Sequence, residues 1–306
     1  MRIPVVMDCD PGIDDAVALL MAAAAPNIEL RAVTTVAGNQ GVETNTKNAL
    51  KITDYFGIDV PVAQGMYPIM KQFQPAAAWI NGETGLGGAN LPEPERSAVS
   101  GNAVELLYKE AIRQNGKLQI LATGPLTNVA LLLCTFPKTR KLVSRITLMG
   151  GACSGGNVTP CAEFNIYTDP EAARIVFHSG VPITMVGLDA CYRTPVSKEE
   201  FSGLIAVGGR ASAFLRDLLG PSAYCERTEK GMILFDALAA AALIDPTVIS
   251  GSEYSVEVET KGEYTAGQTL VDIQSVRGLS PNAFVAMDSD REKFLCLLRN
   301  TLEYFQ

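Results

Sequence analysis

The feature that most limits the fold of this 306-residue chain is a repeated exchange of strand-like and helix-like hydrophobic patterns. Short β-branched runs recur, each followed by a helix-compatible stretch: "IPVVMDCD" then "DDAVALLMAAAA", "IELRAVTTVAG" then "VETNTKNALKITDYF", "LQILATG" then "LTNVALLLCTF". "RITLMGG" and "VPITMVGLD" are two further strands of the same kind. The strands are apolar right through, as expected when both faces of a sheet are covered. This alternation predicts an α/β fold with a mostly parallel, open sheet flanked by helices. No repeat, low-complexity tract or Pro/Gly/Ser-rich linker divides the chain, so a single domain over residues 1–306 is expected. A hydrophobic fraction of 47% is ample for its core.

Charge narrows the partners. The formal net charge is −8 and the sequence pI about 4.9, and no basic block could neutralise a run of phosphates, which argues against nucleic acid. No segment approaches the roughly 18 uninterrupted apolar residues of a membrane span, and the first strand follows Met1 almost at once without a leader pattern. No membrane partner and a cytoplasmic location are the expectations. Seven cysteines scattered without a CxxC pair fit reduced thiols in the core or lining a pocket.

Two irregular stretches, residues 74–95 and 219–232, are candidate pocket walls, because ligands of open α/β sheets sit beyond the carboxyl ends of the strands. The chemistry concentrates elsewhere, in "DCDPGIDD" at residues 8–15, which packs Asp8, Asp10, Asp14 and Asp15 against the end of the first strand. Helix capping accounts for one or two of them. Like charges about 4 Å apart repel by roughly 4 kcal/mol at an effective dielectric near 20, so four together require protonation or a cation. With no His or Cys cage nearby, a hard divalent cation such as Ca2+ or Mg2+ is the natural choice. A phosphatase-type Asp-x-Asp nucleophile from "DCD" is the competing chemistry. The doubled "DD" and the lack of a Thr two residues after Asp10 weigh against it.

The segment "DCDPGIDDAVAL" resembles the N-terminal signature of the nucleoside hydrolases, the inosine-uridine-preferring N-ribohydrolases. Further matches follow in order: "VAGNQ" at 36–40, "ATGPLTN" at 122–128, "LMGGACSGGNVTPCAEFNIYTDPEAA" at 148–173, and "FDALAAAALIDP" at 235–246. The resemblance covers nearly the whole chain. It implies a mostly parallel sheet with a Rossmann-like core and a Ca2+ ion held by Asp10, Asp15, the main-chain oxygen of Thr123, and Asp236. It makes Asp10 the base that activates a metal-bound water and Asp14 a ligand of the ribose 2′-hydroxyl. Asn39, Asn157, Glu163 and Asn165 resemble the family's ribose clamp. A homodimer or homotetramer is implied as well.

Carboxylates around a sugar suit this reaction, because cleavage of an N-glycosidic bond passes through an oxocarbenium-like ribosyl whose positive charge they stabilise. Many family members place a His immediately before the late metal aspartate, and some place another near residue 81. Here those positions are Phe235 and Asn81, and the only histidine, His178, lies near the end of a helix, where binding terminal carbonyls is the ordinary role. Loss of a positioned acid costs roughly 10²- to 10⁴-fold in rate. The purine-specific branch resembles this arrangement, since it sandwiches the base between aromatic rings.

Phe235 and Trp79, with Tyr224 or Tyr192 as further walls, would form such a sandwich, so purine ribosides are the expected substrates. A rival reading supplies an acid from Tyr224, Glu226, Arg227 or water and takes pyrimidine, mixed or modified bases. A second rival keeps the metal and ribose clamp but only binds ribosides. The C-terminal "DSDREKFLCLLRNTLEYF" reads as an amphipathic helix capped by Asp288 or Ser289.

Overall fold

A computed structural model describes residues 2–70, 82, 84–223 and 231–306, with the side chains of 221–223 left aside. Its strands are β1 (Ile3–Cys9), β2 (Ile28–Thr35), β3 (Val62–Gln64), β4 (Leu118–Ala122), β5 (Val143–Met149) and β6 (Ile183–Val186). The later strands are β7 (Ile249–Tyr254), β8 (Val256–Val258), β9 (Thr269–Val271) and β10 (Ala283–Ser289). Its helices begin with α1 (Ile13–Ala24), α2 (Val42–Phe56), α3 (Ala103–Gln114), α4 (Thr127–Thr135), α5 (Phe164–Thr168) and α6 (Pro170–Phe177). They continue with α7 (Leu188–Cys191), α8 (Lys198–Ile205), α9 (Gly209–Ala223), α10 (Phe235–Ile244) and α11 (Arg291–Tyr304).

Eight strands form one sheet in the order β3-β2-β1-β4-β5-β6-β10-β7, and β8 pairs with β9 in a small separate ribbon. Every pairing in the large sheet is parallel except that of β7 with β10 at one edge. The expected α/β architecture is therefore present as a single domain. The chain runs outward from β1 to β3, then returns to place β4 on the other side of β1. That reversal opens a crevice at the carboxyl ends of β1 and β4, the usual ligand position in such sheets.

Strand alternation sorts the core onto two faces. Val5, Met7 and Cys9 of β1 face one layer, with α1, α10 and α11, while Val6 faces the other, with Leu107 of α3, Val129 of α4 and Val176 of α6. Helix α10 is buried along Ala237–Leu243, and with alanine at five of those positions it packs against α1. This packing presses the N-terminal ends of α1 and α10 together at the mouth of the crevice. The last helix starts later than expected: Asp290, not Asp288 or Ser289, accepts the Lys293 N–H as its cap. Asp288 and Ser289 are still paired to β7 and so are unavailable. No described helix is long and apolar enough to cross a membrane.

Candidate active site

Asp10 follows the last residue of β1 and is buried. Its Oδ2 accepts the Asn39 backbone N–H at 2.6 Å, while its Oδ1 has no hydrogen-bond partner. Two glycines make the space. A Cβ on Gly38 would lie 2.1 Å from Asp10 Oδ2, and one on Gly124 would lie 2.5 Å from Asp10 Oδ1. The "VAGN" and "ATGP" turns are thus glycine where the carboxylate must approach backbone.

Asp15 lies in the first turn of α1 and is held on both oxygens. Its Oδ2 accepts from the Gly12 N–H at 3.0 Å and the Asn39 amide at 3.2 Å, and its Oδ1 accepts from the Thr123 hydroxyl at 2.7 Å. Asp14 accepts from the backbone N–H groups of Phe235 and Asp236 and shares a hydrogen bond with the Asp236 carboxyl. It therefore caps α10, whose N-terminal dipole favours negative charge. Asp14, Asp15 and Asp236 bring one carboxylate oxygen each to within 4.8 Å of one another.

Burial dominates the electrostatics of this cluster, and the mutual repulsion of Asp10, Asp14, Asp15 and Asp236 adds to it. Both effects push Asp10 and Asp236 well above the ordinary carboxylate range, while burial followed by the Asp14 charge takes Asp15 to about 7. Burial likewise raises Asp14, opposed by the N–H groups it accepts. Asp8, beneath the cluster, is raised to about 7 by burial despite hydrogen bonds from Thr34 and Asn128. Four carboxyls in one buried crevice need protons or a cation. The donors are all oxygen, and Asp10 Oδ1 is buried without a partner, so a hard divalent ion fits the residues present.

The clamp residues from the sequence are reached by other hydrogen bonds first. Asn39 serves the carboxylates: its side chain donates to the Asp10 carbonyl and to Asp15. Asn165 donates to the Thr123 carbonyl at 2.8 Å and to the Met149 carbonyl, which fixes the very oxygen expected to face the metal. Glu163 caps α5 and accepts from the Asn165, Gly151 and Ile166 N–H groups, and burial raises it to about 7. Asn157 accepts the Phe164 N–H across the glycine-rich loop. Sequence reasoning placed these residues near one another without showing that backbone groups occupy them. It also missed the Thr123 hydroxyl, the glycine cradle and the joining of Asp14 to Asp236.

Of the base-side residues, Phe235 opens α10 beside Asp236, and its ring meets Tyr192 edge-on at 5.9 Å between centroids. Trp79, Asn81, Tyr224, Glu226 and Arg227 lie outside the described residues. His178 ends α6 as expected, but its ring pairs with Glu257 at 2.9 Å instead of with helix carbonyls.

The model of the family described as inosine-uridine preferring nucleoside hydrolase matches residues 5–296. The chain belongs to the inosine-uridine preferring nucleoside hydrolases. It is accordingly an N-glycosyl hydrolase acting on nucleosides, and the phosphatase reading falls away. Among relatives of this nucleoside hydrolase is the pyrimidine-specific ribonucleoside hydrolase RihA of Salmonella enteritidis, 42% identical over the full length of both chains. Solved structures similar to it include a purine-preferring ribonucleoside hydrolase from Gardnerella vaginalis, at 32% identity, TM-score 0.91 and 98% of each chain. An inosine-guanosine nucleoside hydrolase matches at 28% identity and TM-score 0.92 over the whole of both chains.

Proposed function

We propose that this hydrolase releases the free base from ribonucleosides with Asp10 as the general base and Ca2+ as its cofactor. The observation that carries the reading is the buried carboxylate cluster, with Asp10 Oδ1 unpartnered and Asp14, Asp15 and Asp236 converging. Asp10, Asp15, Asp236 and the Thr123 carbonyl would hold the cation. Bound there, it would orient the sugar diol and acidify a water.

The chain's own groups do the rest. Asp10, fixed by the Asn39 N–H, takes the proton of the attacking water. Asp14 receives the ribose 2′-hydroxyl, and Asn157 and Asn165, whose amides keep one group beyond the bonds above, meet the sugar beside Asn39 and Glu163. The carboxylates stabilise the positive charge that develops on the ribosyl as the bond to the base lengthens. Phe235 stands where many relatives have an acid, so the leaving base is activated by something other than a histidine.

For the base, the reading with most support is a pyrimidine riboside, because relatives named pyrimidine-specific share 42% identity over the whole chain. Purine ribosides are the second reading. The aromatic pair Phe235 and Tyr192 beside the carboxylates favours them, as does the 32% identity to a purine-preferring enzyme. Ribose release from uridine, cytidine, inosine, adenosine and guanosine, each with Ca2+ and with a chelator, separates the two. No release from any of them would refute both, and turnover unaffected by chelation would remove the cation.

A further inference from the structure

The Thr127–Asn128 dipeptide that opens α4 is buried, polar and unused by the chemistry above. Asn128 makes three hydrogen bonds with its one amide. Its nitrogen donates to Asp8 Oδ1 at 2.8 Å and to the Thr35 carbonyl at 2.9 Å, and its oxygen accepts the Met66 N–H at 3.1 Å. The amide therefore ties α4 to the carboxyl ends of β1 and β2 and to the chain just beyond β3. Gly65 lies hard against this junction: a Cβ there would lie 2.0 Å from the Thr35 carbonyl oxygen and 2.4 Å from the Asn128 nitrogen.

Four residues separate Asn128 from Thr123, whose N–H donates to the Asp8 carbonyl and whose hydroxyl holds Asp15. Asp8 in turn stands two residues before Asp10 and accepts from the Thr34 hydroxyl at 2.6 Å. One buried link thus fixes the turn carrying the Thr123 carbonyl against the strand carrying Asp10. Both of its ends are fully buried side chains.

We infer that Asn128, through Asp8, is a positioning residue that sets the distance between the Thr123 carbonyl and the Asp10 carboxylate. The inference rests on the proposed function, since those two groups are its metal donor and its base. The variant Asn128→Asp keeps size but replaces both donors with an acceptor facing Asp8 and the Thr35 carbonyl. In folded protein it weakens Ca2+ binding, read by calorimetry with the metal alone, by about tenfold, and lowers kcat by about 100-fold with a smaller change in KM.

Combining Asp8→Asn with Asn128→Asp restores a donor and acceptor across the link in the reverse sense and recovers at least about tenfold of the lost kcat. A folded Asn128→Asp with wild-type Ca2+ affinity and kcat overturns the inference, as does a double variant no better than the single one. If Asn128→Asp does not fold, Thr34→Val, which removes one of the two donors to Asp8, is decisive. About threefold weaker Ca2+ binding is expected, and unchanged binding overturns the proposal. Wild-type protein that binds no Ca2+ would instead break the functional reading itself.

Discussion

Replacing Gly38 by alanine tests whether Asp10 must sit where the structure puts it. A Cβ at that position would lie 2.1 Å from Asp10 Oδ2 and 2.8 Å from both Asp10 Cγ and Pro125 Cδ, whereas real Cβ contacts essentially never fall under 3.0 Å. The carboxylate must therefore retreat by about 0.9 Å, a displacement of the size that costs roughly 100-fold when it separates reacting groups. The same retreat stretches the 2.6 Å bond from the Asn39 N–H, a charge-assisted bond worth about 1.5–3 kcal/mol. Gly38 does not occupy the left-handed region, so the backbone itself tolerates alanine and the effect is confined to the overlap. Overpacking of this kind lowers stability by about 1–3 kcal/mol. Ribose release at saturating nucleoside, set beside a urea unfolding curve, measures both. A Gly38→Ala protein with wild-type kcat would refute the assignment of Asp10 as the base in this geometry.

Asp10→Ala removes the base outright, and kcat falls by roughly 10²- to 10⁴-fold while circular dichroism stays native; a fully active variant would rule Asp10 out. In metal-free protein the folded state binds protons at Asp15 and Glu163 up to about pH 7, against about 4 when unfolded, so stability falls as pH rises through that window. The loss for Asp15 alone has an upper bound of about 4 kcal/mol, and Ca2+ flattens the slope; urea midpoints in chelator from pH 5 to 8 check it, and a rising midpoint contradicts it. Above pH 5 the depressed carboxyls of Asp54, Glu200 and Asp245 are already ionised and contribute no slope. Phe235→His restores an acid where many relatives carry one and raises kcat by about tenfold or more; an unmoved kcat would show that this side chain does not face the leaving base.

The parallel sheet was legible because its strands are apolar on both faces and each is followed by a helix of the other period. The acidic run was legible as an ion site because four adjacent carboxyls have no cheap alternative. What pattern could not supply was spatial. Asp14 and Asp15 are chain neighbours in the first turn of α1, and only the docking of α10 shows that both reach Asp236. Nothing in the sequence sets Gly38 and Gly124 apart until Asp10 is seen between them. The cap of α11 was misplaced because β10 runs on through Asp288 and Ser289, and an edge pairing made across the sheet leaves no mark in local sequence.

The close lie of α10 against α1 has a bearing on how the chain is made. Synthesis delivers the aspartates of "DCDPGIDD" at the very start and Asp236 only after three-quarters of the chain has emerged, so the acidic cluster cannot be assembled early. Before α10 is in place, Asp14 lacks the Phe235 and Asp236 N–H groups and the Asp236 carboxyl that it meets in the folded chain. The full electrostatic burden is met only when α10, with Asp236 in its first turn and alanine at five of its buried positions, packs against α1. A chain cut short before that helix lacks Asp236, and the full demand for a cation arises only when the molecule is nearly complete.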